Sequence, residues 1–254
     1  MEHYYNKHTS NLKEEDWFAT WFDSPYYHIL YKNRDDKEAQ FFMDNLSRFL
    51  GITDTDKILD LACGKGRHAI YLNEQGFEVV GVDLSEANIK QANEAANDRL
   101  QFFIHDMREV FQAGTFDYVL NLFTSFGYFD TEEENIQAIK ASATNLKEGG
   151  QLVIDFLNPA YVIPRLVENE TKTVDDITFY IQRFVEEGYI VKNIAFEDRG
   201  HQFEYQERVK AIDYQVFLKY FKIAEVTVKE VFGNYHLTPF HATESERLIF
   251  VLSK

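Results

Sequence analysis

The chain has 254 residues, of which one is cysteine, Cys63, and four are proline. A single cysteine excludes an intramolecular disulfide and leaves no cysteine cluster to hold a metal. Pro/Ser-rich linkers, repeats and low-complexity tracts are absent from it. Long apolar runs are missing too: none approaches the span of a bilayer, and the opening MEHYYNKHTSNLKEEDW lacks the apolar stretch of a signal peptide. A cytoplasmic location is the expectation. Basic residues are scarce beside acidic ones, 26 against 42, giving a formal net charge of −16. Phosphate binding draws on clustered Lys and Arg, so neither nucleic acid nor an anionic membrane surface is expected as a partner. What the chain does have is apolar and aromatic, 45% and 16% of its residues, enough for a packed core.

The pattern of those residues changes along the chain. Residues 13–50 read as helix in pieces: KEEDWFATWF, then PYYHILY after Ser24-Pro25, then DDKEAQFFMDNLSRFL, whose Phe41, Phe42, Asn45, Leu46, Phe49 and Leu50 recur at helical spacing until Gly51 stops them. From residue 57 strands and helices alternate. KILDLA, FEVVGVD, LQFFIHD, FDYVLNLF and GGQLVIDFL are the strands. RHAIYLNEQ, SEANIKQANEAAND and TEEENIQAIKASATNLKE are helices, the second capped by Ser85, the third capped by Thr131 and stopped by Gly149-Gly150. Such alternation implies an α/β, doubly wound, Rossmann-like sheet with ligands at the carboxyl ends of its strands. Residues 165–212 alternate with period two around turns at Glu187-Gly188 and Arg199-Gly200, which is antiparallel ribbon. DYQVFLKYF, IAEVTVKEVFG and RLIFVLS then return as helix, strand and strand, for about seven strands in the main sheet. The organisation expected is a helical N-terminal lid over 1–50, an α/β core over 51–164 and 213–254, and an antiparallel β insertion over 165–212 that roofs a substrate or forms a dimer contact. A monomer and a homodimer are both compatible with this.

The first strand runs into ILDLACGKGRHA, residues 58–69. Gly64-Lys65-Gly66-Arg67-His68-Ala69 satisfies the G-x-G-x-x-[GA] dinucleotide pattern between a strand and a helix, with Asp83 ending the second strand in reach of ribose hydroxyls. A nicotinamide-type oxidoreductase is therefore one reading. Asp60 argues against it. A carboxylate beside the turn repels a pyrophosphate, whereas it attracts a ligand with positive charge there, such as the α-ammonium and sulfonium of S-adenosyl-L-methionine. Asp60 could also simply bond backbone amides of its own loop, a role compatible with the first. Cys63 reads as a small turn residue, since nothing near it in the sequence would activate a thiol.

On these residues the chain resembles the class I S-adenosylmethionine-dependent methyltransferases. Asp60-Leu61-Ala62-Cys63-Gly64-Lys65-Gly66 matches the family's first motif, D/E-x-G/A-x-G-x-G. Val80-Gly81-Val82-Asp83-Leu84-Ser85 matches its second-strand motif, and His105-Asp106-Met107 falls where the family brackets adenine. The resemblance covers about 57–157 and returns over 213–254. It implies a reversed last strand and S-adenosyl-L-methionine as cofactor. It implies a cofactor site of Asp60, Ala62, Gly64, Gly66, Asp83, Leu84, Asp106, Met107 and Leu122. Similar lids carry a Tyr-x-x-Arg stretch over the methionine end, matched here by Tyr31 and Arg34.

The resemblance also implies that the methyl acceptor sits beyond FDYVLNLFTSFGYF. That stretch lacks the [DNS]-P-P-[YF] tetrad of enzymes that methylate nucleic-acid amines, and it is similar to small-molecule methyltransferases, aminosugar N-methyltransferases included. The expected partner is a small-molecule methyl acceptor, with nitrogen and oxygen both open. Tyr27, Phe123, Ser125, Tyr128, Asn158 and Tyr161 are the expected acceptor-binding residues. His236 and His241 are the candidate bases, with a plain surface-loop role as the alternative, so no catalytic residue is assigned. Displacement from a sulfonium requires no Lewis acid, and no metal is expected. The alternative in a different class is a protein that binds S-adenosylmethionine without turnover.

Overall fold

The computed structural model describes residues 17–32 and 36–254. The strands of this structure fall into two sheets. β1 (Lys57–Leu61), β2 (Glu78–Asp83), β3 (Leu100–Ile104), β4 (Phe116–Asn121) and β5 (Leu146–Leu157) belong to the first. β6 (Asn169–Val174), β7 (Ile177–Glu186), β8 (Tyr189–Asp198) and β9 (His201–Lys210) make the second, and β10 (Thr227–Phe232) and β11 (Arg247–Ser253) return to the first. The large sheet has the order β3-β2-β1-β4-β5-β11-β10. β11 is antiparallel to both its neighbours, while the pairs from β3 to β5 are parallel. This is the doubly wound, Rossmann-like sheet with a reversed last strand.

Strands β1, β2 and β11 inside the large sheet are almost continuously buried because both faces are covered, whereas its edge strands β3 and β10 are half exposed. Leu59 and Leu61 enter one core layer, shared with α6 (Glu132–Asn145) and α8 (Tyr214–Ile223). Ile58 enters the other, shared with α3 (Asp36–Leu50), α4 (Arg67–Glu74) and α5 (Glu86–Ala92). Thr131 and Glu134 form a reciprocal capping box at the start of α6. That helix ends at Asn145, before the expected stop at Gly149-Gly150. The buried Asn145 amide oxygen accepts the backbone N–H of Phe111 and Gln112 at 2.9 and 2.8 Å, and Leu146 is already extended, so residues 146–157 run as one strand.

The second sheet is a meander of three hairpins. Its turns, Asp175-Asp176, Glu187-Gly188 and Arg199-Gly200, each put two successive residues in the left-handed region, the geometry that matches strand twist in a two-residue hairpin. One face of this sheet carries Phe179, Ile181, Ile194 and Phe196, which pack with Trp21 of α1 (Trp17–Phe22) and Leu30 of α2 (Pro25–Leu30). Polar ties reinforce the contact: the Tyr26 hydroxyl donates to Asp198 at 2.9 Å and Lys32 pairs with Asp175 at 2.8 Å. The N-terminal helices therefore rest on the insertion. They also touch the core through a hydrogen bond from the Ser85 hydroxyl to Asp23.

Candidate active site

The strand order reverses between β1 and β4, and a crevice opens at their carboxyl ends, where such sheets take ligands. A cavity of about 540 Å³ fills it, walled by the β1–α4 turn, the ends of β2 and β3, the β4 loop, α2 and β9.

The turn after β1 puts Ala62, Gly64 and Gly66 at φ 57°, 56° and 80°. The two glycines answer different needs. A Cβ on Gly66 would meet the Phe102 ring at 2.6 Å, so this glycine lets the helix sit close to the sheet. A Cβ on Gly64 would meet nothing within 4 Å, and Gly64 lines the cavity. Its missing side chain keeps open space that a ligand can use.

Asp60 stands behind this turn, 2% exposed. One of its oxygens, Oδ2, is buried with no hydrogen-bond partner, a costly state for a carboxylate. Burial and the nearby Asp83 push its pKa up to about 7, against the pull of the Ala69 backbone N–H. Asp83 accepts from the backbone N–H of Gly64 at 2.8 Å and of Ser85 at 2.9 Å. Burial raises its carboxyl as well, with those two donors opposing. The pair forms a desolvated acidic wall. Burial, then Asp60 and Asp83, raise the Cys63 thiol, so Cys63 stays protonated and is not a nucleophile.

Asp106 lines the same cavity after β3. Its carboxylate accepts from the Arg108 backbone N–H at 2.9 Å and from the guanidinium, with Nη2 at 2.6 Å. Burial opposes and Arg108 outweighs it, holding the acid below the usual carboxylate range. Asp106 thus also serves as the turn acid for Met107-Arg108. Met107 packs beside Asn121, whose amide nitrogen lies 3.9 Å from the thioether sulfur.

The opposite wall is built by the loop after β4. Phe123 and Thr124 both sit left-handed, at φ 55° and 62°. For non-glycine residues this costs about 1–3 kcal/mol each, and a β-branched threonine is a true outlier there. The strain is offset by buried partners: the Phe123 N–H donates to Asp155 Oδ2 at 2.8 Å and the Thr124 N–H to the Asp155 carbonyl at 3.0 Å. Phe123 lines the cavity and stacks on His68 with centroids 4.4 Å apart. The Tyr128 hydroxyl donates to the Thr124 carbonyl at 2.6 Å, and its ring meets Phe22 edge-on. Across the mouth, Glu207 of β9 accepts from Trp21 Nε1 and the Tyr31 hydroxyl, both at 2.7 Å, with Lys192 at 3.5 Å.

Among the residues singled out from sequence, Tyr27, Tyr31, Asp60, Ala62, Gly64, Asp83, Leu84, Asp106, Met107, Leu122, Phe123, Ser125 and Tyr128 line this one cavity. Gly66 lies behind its wall. Asn158 and Tyr161 are not among the lining residues. The Asn158 amide donates to the carbonyls of Ala242 and Ser245 at 2.9 and 2.7 Å while its oxygen caps α7 (Pro159–Val162). Tyr161 stacks under Arg165 at 4.0 Å. The end of β5 serves the neighbouring loop before β11 instead. His236 and His241 are likewise absent from the lining, and Arg34 lies outside the described residues. Sequence reading missed His28, His68, Asn88, Glu207 and Val209 of the wall. A glutamate within a period-two strand carries no local sign of what it faces. His68 was within reach, since it opens the helix that follows the glycine turn.

The family model of the methyltransferase domain matches residues 58–150, the stretch that carries this turn and both strand-end acids. By this match, residues 58–150 carry a methyltransferase domain. The chain is 32% identical over 152 residues to the putative methyltransferase YqeM of Bacillus subtilis (strain 168), covering 57% of this chain and 61% of that one. The dTDP-3-amino-3,4,6-trideoxy-alpha-D-glucopyranose N,N-dimethyltransferase of Streptomyces venezuelae is 31% identical over 104 residues, 40% of this chain and 43% of its own. The match to YqeM spans about three fifths of its length, as does the match to the putative methyltransferase GWCH70_2453 of Geobacillus sp. (strain WCH70). In fold the chain is similar to an S-adenosylmethionine-dependent methyltransferase from Clostridium acetobutylicum ATCC 824, with a TM-score of 0.75 at 19% identity over 90% of this chain and 95% of that one.

Proposed function

We propose that this protein binds S-adenosyl-L-methionine in the crevice and transfers its methyl group to a nitrogen of a small molecule. One observation carries the cofactor part: Asp60 keeps a buried oxygen without a partner behind a glycine turn whose Gly64 leaves space. A ligand with an ammonium group would relieve that oxygen. A diphosphate would add to the repulsion.

In this reading Asp60, Ala62 and Gly64 hold the amino-acid end, with Gly66 shaping the turn and with Tyr31 and Arg34 from the lid. Asp83 and Leu84 take the ribose, and Asp106, Met107 and Leu122 the adenine. When bound, the sulfonium supplies an electrophilic methyl and leaves as a neutral thioether. Tyr27, Phe123, Ser125 and Tyr128 exclude water and orient the acceptor. A neutral amine attacks with its own lone pair, so the wall has to position it rather than deprotonate it first. The sugar N,N-dimethyltransferase relative supports nitrogen and a small acceptor.

Thermal unfolding with S-adenosylhomocysteine and with NAD, each in parallel, tests the cofactor. At about 100 times its Kd a native-state ligand adds about 2.7 kcal/mol, so S-adenosylhomocysteine is expected to raise the midpoint and NAD to leave it unchanged. The reverse pattern would overturn the reading. A panel of amines assayed for labelled-methyl transfer then tests turnover.

A further inference from the structure

Behind the strained β4 loop lies a buried ion pair that no cavity residue explains. Arg247, the first residue of β11, donates Nε to Asp155 Oδ1 at 2.8 Å and Nη2 to the Thr124 hydroxyl at 3.0 Å. Asp155 is fully buried and the Arg247 side chain nearly so. Asp155 spends its other oxygen on the Phe123 N–H. Tyr235 closes the cluster, its hydroxyl 3.5 Å from Asp155 and its ring under the Arg247 guanidinium at 5.4 Å. Each member of the pair thus sends one side-chain bond to residues 123–124, the only two successive left-handed residues outside the hairpin turns among the described residues.

We propose that Arg247 is a positioning residue of the cavity: through Asp155 and Thr124 it holds Phe123 and Thr124 left-handed, and so fixes the Phe123 ring against His68. A buried pair placed for stability alone would be replaceable by apolar packing. This one is arranged as a clamp on a conformation that Phe and Thr otherwise avoid. Without the guanidinium, Thr124 loses its partner and Asp155 its counter-charge, and the turn relaxes to negative φ. The Phe123 ring then leaves His68, and the wall beside Asp60 changes shape. Only the effect on ligand affinity rests on the proposed cofactor.

The test compares the wild type, Arg247→Met, Arg247→Lys, Arg247→Met with Thr124→Gly, and Leu252→Ala, a cavity in the same strand. Two quantities are read: the ring-current shift of the His68 imidazole protons in ligand-free protein, and calorimetric affinity for S-adenosylhomocysteine. Arg247→Met is expected to abolish the shift and weaken affinity about tenfold or more, since small misplacements at a site have effects of that size or larger. Arg247→Lys, which keeps the charge and is the variant to read if methionine prevents folding, is expected to lose most of the shift, because an ammonium is a single point charge without the planar fork whose Nε and Nη2 reach Asp155 and Thr124 separately. Thr124→Gly in the methionine background restores the shift, since glycine needs no clamp at positive φ. Leu252→Ala lowers the thermal midpoint and leaves the His68 signals in place. Wild-type His68 signals in both Arg247 variants would overturn the proposal, as would an equal loss in Leu252→Ala. Wild-type protein that ignores S-adenosylhomocysteine would sink the cofactor reading, with the His68 signals still deciding the role of Arg247.

Discussion

Asp60 holds a negative charge in a place that penalises one. Its pKa of about 7 in the folded chain, against an ordinary 3.8, means that the folded state holds the proton more tightly than the unfolded one. The corresponding stability is fully present below about pH 4 and is lost as pH rises through 7. The loss is on the order of 4 kcal/mol at roughly 1.4 kcal/mol per pH unit. Asp60→Asn removes this linkage. Denaturant titration is expected to find the variant more stable than wild type at pH 8 and no more stable at pH 4, while S-adenosylhomocysteine binding is lost at both. For the wild type, an ammonium ligand favours the ionised acid, so affinity should rise with pH up to about 7 and then level off. A flat profile, or an asparagine variant that binds as before, would remove Asp60 from the site.

Among elements, the N-terminal helices and the β insertion depend on one another most visibly. Glu207 gathers Trp21, Tyr31 and Lys192 on one carboxylate. Glu207→Ala takes the acceptor from the Nε1 of buried Trp21, and an unsatisfied buried donor costs about 1–3 kcal/mol. Amide exchange is expected to quicken over residues 20–31 by roughly 5-fold to 150-fold and to stay unchanged in β1 and β4. Uniform acceleration across the molecule would contradict a local tie. The same elements mark how far sequence reading reaches. Glu187-Gly188 and Arg199-Gly200 announced two hairpins because glycine marks a left-handed position. Asp175-Asp176 adopts the same geometry with no glycine, so the turn between β6 and β7 gave no signal. The buried strands and α3 were legible because periodicity records burial. The point where α6 stops was not, because it depends on Asn145 reaching residues 111 and 112, far away in sequence.

Across the whole molecule, the acids of the crevice were legible since each ends a strand next to its motif. Of the residues expected to bind an acceptor, those after β4 line the cavity and those after β5 do not. Asn158 shares the strand-end position of the acids, yet loop carbonyls 84 and 87 residues away claim its amide. Glu207 and Arg247 act on residues far from them in the chain, and local pattern is silent about such partners. The large sheet supplies most of the crevice wall, and the second sheet with its helices covers the other side. Exchange of parts should respect that division. Grafting residues 169–210 from a relative is expected to give a poorly folded, protease-sensitive chain unless residues 17–32 travel with them. A graft of both segments is expected to refold cooperatively, as a single melting transition would report.

The packing of Trp21 and Leu30 on Phe179 and Phe196 has an evolutionary corollary. Drift in the apolar face of the insertion must be answered in a helix more than a hundred positions upstream, so the two stretches should vary in concert among descendants while the crevice acids stay fixed. What the cavity admits can then change by remodelling one two-part cover, leaving the crevice beneath it untouched.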